Sequence, residues 1–174
     1  MNPLRYQNAK YEDVPQKIRE LFEKIPKTKK GIYIYGEVGT GKTHIAYALK
    51  SKTKFVRVFN TTELLRSIRN DFNRLAYEKD HLEIEAMDYP GILILDDVGS
   101  EKISDWVMET FYLIINKRYN HMLPTIITSN LPITDLSERI GDRITSRIVE
   151  MCDIVELVGS DRRLINKDKI QVKS

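Results

Sequence analysis

Apolar positions along the chain follow two different rhythms. Between Asp13 and Ile25, the residues Val14, Ile18, Leu21, Phe22 and Ile25 recur at three- and four-residue steps. That spacing predicts an amphipathic helix behind an Asp cap, ended by Pro26 and the lysine-rich stretch 27–30. Gly31 to Tyr35 is instead a short β-branched and aromatic run without polar alternation, as expected of a strand buried on both faces. A glycine-rich turn and a helix from about Lys42 come next. Phe55 to Phe59 predicts a second strand, and Asn60, Thr61 and Thr62 offer capping oxygens to a helix carrying Leu64, Leu65, Ile68, Phe72 and Leu75. A more polar stretch reaches Tyr89-Pro90 and the third strand, Gly91 to Leu95. Ile103, Trp106, Val107, Phe111, Ile114 and Ile115 then form another helical stripe. The fourth strand, Pro124 to Thr128, is closed by Ser129-Asn130-Leu131-Pro132. Short helical segments around Leu136 and Ile144 precede a last strand, Ile154 to Val158.

Strands that alternate with helices imply a parallel sheet, because parallel neighbours need long, usually helical, crossovers. The expected fold is therefore α/β, with five parallel strands flanked by helices on both faces. At 174 residues, one domain with one core is expected. It divides into a flanking segment and helix (1–30), a core (31–165) and a tail (166–174), without internal repeats or low-complexity linkers.

Composition narrows the picture only slightly. The chain is 41% hydrophobic and 30% charged, every apolar run is too short to span a bilayer, and the start has no apolar stretch resembling a secretion signal. A cytosolic protein without a membrane partner is expected. Cys152, the single cysteine, reads as a buried bystander beside the apolar pair Ile154-Val155. The net charge of +3 is compatible with a polyanionic partner but too small to demonstrate one. His44, His81 and His121 lack metal-ligand spacing and read as surface or packing residues.

Chemistry concentrates at two strand ends. Gly36-Glu37-Val38-Gly39-Thr40-Gly41-Lys42-Thr43 fits G-x-x-x-x-G-K-[ST] at every defined position, between a predicted strand and a predicted helix. Glycines let the backbone curl so that several N–H groups aim at a β-phosphate, and the following helix N-terminus adds partial positive charge. Lys42 would meet the β- and γ-phosphates and Thr43 would ligate Mg²⁺. The run Ile92 to Leu95 ends in Asp96-Asp97, two carboxylates that need a cation or polar partners once buried. Asp96 is expected to hold magnesium through water, and Asp97 to act as general base on the attacking water. Thr128-Ser129-Asn130 closes the next strand on the same edge, where Asn130 could bond the γ-phosphate or that water. ATP and Mg²⁺ are thus the expected ligands. A small-molecule kinase shares the P-loop, but no acceptor pocket or arginine-rich lid is evident.

Taken together, these residues resemble the DnaC and IstB family of AAA+ ATPases, the replicative helicase loaders and transposition helpers. The resemblance runs through Tyr6-Gln7-Asn8-Ala9, Gly39 to His44, Ile94 to Gly99, Asn116 to Tyr119, Pro124 to Asn130 and Arg143 to Arg147. It implies a P-loop AAA+ fold without a separate lid domain and a nucleotide-binding segment that includes His44. It implies that Asn130 is the sensor-1 residue and that Arg147 is an arginine finger entering a neighbouring subunit, with Arg143 and Arg162 as further trans or nucleotide-sensing contacts. The implied partners are other copies of the chain in a head-to-tail spiral or ring, single-stranded DNA, and a replicative helicase or transposase. For DNA, the helical region after Thr61 supplies Arg66, Arg69, Arg74 and Lys79, with Phe72 and Tyr77 as stacking groups, although Glu63, Asp71 and Glu78 share that segment. Loaders of this kind carry an extra N-terminal domain, whereas this chain starts almost at the ATPase module. Two functions follow as expectations: a DNA-stimulated ATPase of helicase-loader type acting in DNA replication, or an ATP-controlled module that recruits a transposase or helicase.

Overall fold

Successive side chains of the central strand enter two different cores. In β1 (Gly31–Tyr35), Ile32 and Ile34 pack with Ile18, Phe22 and Ile25 of α1 (Gln16–Thr28) and with Ile45 and Leu49 of α2 (Lys42–Lys52), whereas Tyr33 enters the opposite core. The computed structural model describes residues 3–71, 82–159 and 171–173. Beyond β1 and α2, the chain forms β2 (Val56–Asn60), α3 (Thr61–Asp71), α4 (Leu82–Asp88), β3 (Ile92–Val98), α5 (Asp105–Asn120), β4 (Thr125–Ser129), α6 (Ile133–Ile140), α7 (Asp142–Met151), β5 (Cys152–Val158) and β6 (Gln171–Lys173). The strand order is β2-β3-β4-β1-β5-β6. The first five strands pair in parallel as expected, and β6 adds a short antiparallel edge to β5 that the hydrophobic pattern does not announce.

The two-sided burial explains the unbroken apolar runs. Ile94 and Ile126 share the core of α1 and α2, while Leu93, Leu95 and Ile127 face Leu64, Leu65 and Ile68 of α3, Phe111, Ile114 and Ile115 of α5, Leu136 of α6, and Ile144 and Ile148 of α7. Each such buried side chain contributes about 1.5–3 kcal/mol by removal from water, so a polar alternation would forfeit one of the two layers. Cys152 is buried in the second core, as expected. None of the described helices is long and apolar enough to cross a membrane.

Several boundaries differ from the sequence expectation, each for a local reason. Asp13 does not cap α1; it lies in a 3-10 turn, where its carboxylate accepts the Lys10 amide at 3.3 Å, and the helix starts after Pro15. Pro26 does not end that helix, because the missing N–H falls within the last turn, on the exposed side. The Lys29 amide still closes on Ile25 O at 2.8 Å before Lys29 turns left-handed. Asn60 caps α3 by accepting the Glu63 amide at 3.1 Å, and Ser104 caps α5, leaving Ile103 outside the helix. Phe72, Leu75 and Tyr77 lie outside the described residues. The largest departure is β3, which continues through both acids to Val98 instead of stopping at Leu95.

Candidate functional site

Parallel register brings the distant motifs to one edge. Tyr35 pairs with Ser129, Asn60 with Asp96 and Val98 with Ser129, so the ends of β1 to β4 are level and their loops share one side of the sheet. Ligands of open α/β sheets bind at that carboxyl edge.

The loop after β1 is shaped by its glycines. Gly39 and Gly41 hold φ of 90° and 99°, a region that a side chain rarely tolerates. Gly36 meets a different constraint: a Cβ there would lie 2.2 Å from the Leu157 carbonyl oxygen of β5. Lys42 begins α2 directly behind Gly41, with no side chain capping the first-turn amides. Its ammonium turns inward and donates to the carbonyls of Gly36 and Glu37, each at 2.7 Å. Thr40 braces the loop, its hydroxyl donating to Glu37 O at 2.9 Å. The result is a ring of backbone around one buried cation at a helix N-terminus, the arrangement that favours an anion.

Across from this loop, a bulge re-aims the acids of β3. Leu95 pairs with Ile127 but Val98 pairs with Ser129, so three steps on β3 oppose two on β4. Asp97 absorbs the extra residue at φ 62°. Thr128 then joins both acids: its hydroxyl donates to Asp96 Oδ1 at 2.6 Å and accepts from the Asp97 amide at 2.9 Å. Asn130 donates to Asp97 Oδ1 at 3.2 Å, fixing that carboxylate at the mouth of the site. Burial pushes the Asp96 carboxyl above the usual 3.8; hydrogen bonds from Thr128 and Thr43 and the charge of Lys42 oppose the shift, and neighbouring Asp97 adds to it. A largely buried carboxylate beside the Thr43 and Thr128 hydroxyls is a hard oxygen set that fits Mg²⁺. No group of three or more His, Cys, Asp or Glu able to hold a metal occurs among the described residues, so the fit is to an ion sharing its coordination with phosphate and water.

Between the loop and the acids lies a cavity of about 420 Å³, lined by Val38, Gly39, Gly41, Lys42, Thr43, His44, Asp97, Thr128 and Asn130. Arg5 and Tyr6 complete its wall. Sequence reasoning missed these two as site residues, because they sit in a short 3-10 turn without periodicity. Tyr6 stacks on Tyr47 of α2, ring centroids 5.0 Å apart and planes within 4°, and His44 meets Asp13 at 3.4 Å. Both contacts tie the N-terminal segment to the nucleotide-side helix.

The remaining candidates sit elsewhere. Arg147, on α7, does not line the cavity. Its Nε donates to Asn116 Oδ1 at 3.0 Å, its Nη1 donates to Arg143 O at 2.6 Å, and it lies over the rings of Tyr112 and Tyr119. Arg143 is exposed over Tyr112. Arg66 and Arg69 are exposed on α3, with Arg69 over the Trp106 ring. Arg74, Lys79, Arg162 and His81 lie outside the described residues.

Comparison with known proteins agrees with this geometry. The family model described as IstB-like ATP binding protein matches residues 6–170. The phage-like element PBSX protein XkdC of Bacillus subtilis is 28% identical over 170 residues, covering 86% of this chain and 62% of that protein. The replicative helicase loader DnaI of the same organism is 26% identical over 151 residues, covering 77% of this chain and 48% of that one. The chain thus spans about half to three-fifths of these relatives' length. Among solved structures, the DnaC helicase loader superposes with a TM-score of 0.75 at 30% identity, covering 87% of this chain and 98% of that chain. With its P-loop, its five parallel strands and a family match over nearly its whole length, the chain belongs to the IstB-like ATP-binding proteins, P-loop ATPases of the AAA+ type related to the DnaC helicase loaders.

Proposed function

We propose that this chain binds ATP with magnesium in the cavity between the 36–43 loop and Asp97, hydrolyses it, and couples that cycle to assembly on single-stranded DNA as a helicase-loader-type ATPase. The observation that carries the reading is the convergence of Lys42, Asp97 and Asn130 on one cavity from three separate parts of the chain, with Asp96 buried beside it under the Thr128 hydroxyl. In this reading the Lys42 ammonium exchanges the Gly36 and Glu37 carbonyls for phosphate oxygens, while the backbone of 36–41 and the first turn of α2 surround the triphosphate. Thr43 and Asp96 would hold the magnesium, which would supply charge neutralisation at the transferring phosphoryl group. Asp97 takes a proton from the attacking water at its carboxylate, oriented by the Asn130 amide. Tyr6 and Val38 offer apolar surface to the base.

Arg147 acts in trans. It does not line its own cavity, so its charge would stabilise the phosphoryl oxygens of a neighbour, which makes turnover depend on a heterologous, head-to-tail contact. Exposed Arg66 and Arg69 support phosphate contact by α3. Turnover measured against protein concentration, with and without single-stranded DNA, tests the reading. A steep rise with concentration and stimulation by DNA are expected; slow turnover indifferent to both contradicts it. The family description favours a second reading, an ATP-controlled module that recruits a transposase or helicase. It predicts ATP-dependent capture of that partner with little DNA stimulation.

A further inference from the structure

A buried acid that the nucleotide chemistry does not use holds the loop leaving Asp97. Glu101 is only 5% exposed, and both of its carboxylate oxygens accept from the Gly99 amide, at 3.2 and 3.1 Å. Ser100 closes the same loop from outside, its hydroxyl donating to Asp97 O at 2.8 Å. Two contacts then join this loop to α6. Arg139 Nη2 donates to the main-chain carbonyl of Glu101 at 2.9 Å. One turn earlier on the same helix, Leu136 lies against Gly99, where a Cβ would stand 3.1 Å from Leu136 Cδ1.

The chain of contacts continues into α7. The Ser137 hydroxyl donates to Asp142 Oδ1 at 2.5 Å and lies 2.7 Å from Thr145 Oγ1, two residues before Arg147. Helices α6 and α7 are also separated by Gly141 alone. Asp97 is thus linked to α6 through Gly99, Glu101, Leu136 and Arg139. A buried carboxylate is costly to desolvate, and this one is compensated by the Gly99 loop amide and by the charge of Arg139.

We propose that Glu101 is a positioning residue that, together with Arg139, clamps the 97–101 loop to α6, so that the setting of Asp97 and the orientation of the α6–α7 pair bearing Arg147 change together. The proposal rests on the roles given to Asp97 and Arg147 above. It makes the nucleotide state of one subunit legible at the surface it presents to the next.

Amide hydrogen exchange with and without AMPPCP and magnesium tests the clamp without requiring turnover. In the unaltered protein, exchange across residues 136–147 is expected to slow at least about fivefold on binding, the lower end of ordinary coupling between sites. In Glu101→Ala and in Arg139→Ala that slowing is lost, while AMPPCP affinity stays within about twofold, below the range of ordinary coupling. Glu101→Gln keeps an acceptor oxygen for Gly99 and retains the slowing. In turnover, Glu101→Ala lowers kcat and leaves KM for ATP unchanged. Arg139 is exposed, so Arg139→Ala decides the question if Glu101→Ala does not fold. Slowing in the two alanine variants equal to that in the unaltered protein, or none in the unaltered protein, overturns the clamp. Turnover that ignores Arg147 instead removes the trans reading, and the exchange result still decides whether the loop and α6 move as one.

Discussion

Thr128 donates its hydroxyl to Asp96 across 2.6 Å, and both side chains are nearly sealed from water, at 1% and 3% exposure. The pair explains how an acid survives at the end of a strand buried on both faces. It also leaves that acid with a penalty, since burial outweighs the hydrogen bonds and raises its pKa.

That penalty predicts a pH-dependent gain from removing the charge. The folded state holds the Asp96 proton more tightly than the unfolded chain does. The associated stability is fully present below the ordinary value of 3.8 and is lost as pH rises through the raised folded value. Above that window the ionised carboxylate destabilises the protein. Asp96→Asn, which keeps an oxygen for Thr128, should therefore melt higher than the unaltered protein without nucleotide, by about 2–4 °C per kcal/mol relieved. The difference should shrink as pH falls toward 3.8. Thermal melts from acid to neutral pH check this, and an Asn variant that melts lower throughout would show the carboxylate to be stabilising.

Lys42→Met should abolish tight nucleotide binding. Two charge-assisted bonds to phosphate, each about 1.5–3 kcal/mol, correspond to an affinity loss of roughly 100-fold or more. Titration calorimetry with magnesium and ATP measures it directly. Affinity within a few-fold of the unaltered protein would exclude Lys42 from the phosphates.

Arg147→Ala should keep ATP affinity and lose concentration-dependent turnover, by about 10³-fold if the arginine stabilises the transferring phosphoryl group. Arg147→Lys should not restore it, because an ammonium lacks the planar fork. Phosphate release per subunit across a protein dilution series checks both. Its partners in this structure, Asn116 and the Arg143 carbonyl, lie on the same chain.

Arg118 predicts a large effect on stability alone. It has no exposed surface, and it donates to Thr125 Oγ1 and to the carbonyls of Ala86, Tyr89, Gly91 and Pro124. Burial lowers its pKa to about 10, which still leaves it charged at neutral pH. Arg118→Ala strands that set of acceptors and should cost about 4 kcal/mol or more, at the extreme of single substitutions. Urea unfolding measures the loss. Folded Arg118→Ala protein should bind ATP normally, since Arg118 does not line the nucleotide cavity.

Much of the site was legible in the chain because its requirements are local. Eight consecutive residues carry the loop glycines, the lysine and the threonine, and the backbone conformations they need depend on near neighbours. The strands were legible for a related reason: a segment covered on both faces has no polar phase, so Ile32 to Ile34 and Leu93 to Leu95 stand out as unbroken apolar runs.

What tertiary structure decided lies between residues far apart in sequence. The bulge at Asp96-Asp97 exists because Thr128, 32 positions beyond Asp96, binds one acid and the amide of the next. Arg5 and Tyr6 line the cavity wall, with Tyr6 stacked on Tyr47, and Arg139 of α6 reaches the Glu101 carbonyl 38 positions earlier. Periodicity reports which face of an element is covered; it carries no information about which distant side chain covers it. The chain alone therefore determined the elements and the phosphate-binding loop, whereas the orientation of the acids arose only when the sheet order set β3 beside β4, and the contacts of the 97–101 loop with α6 only when that helix packed against it.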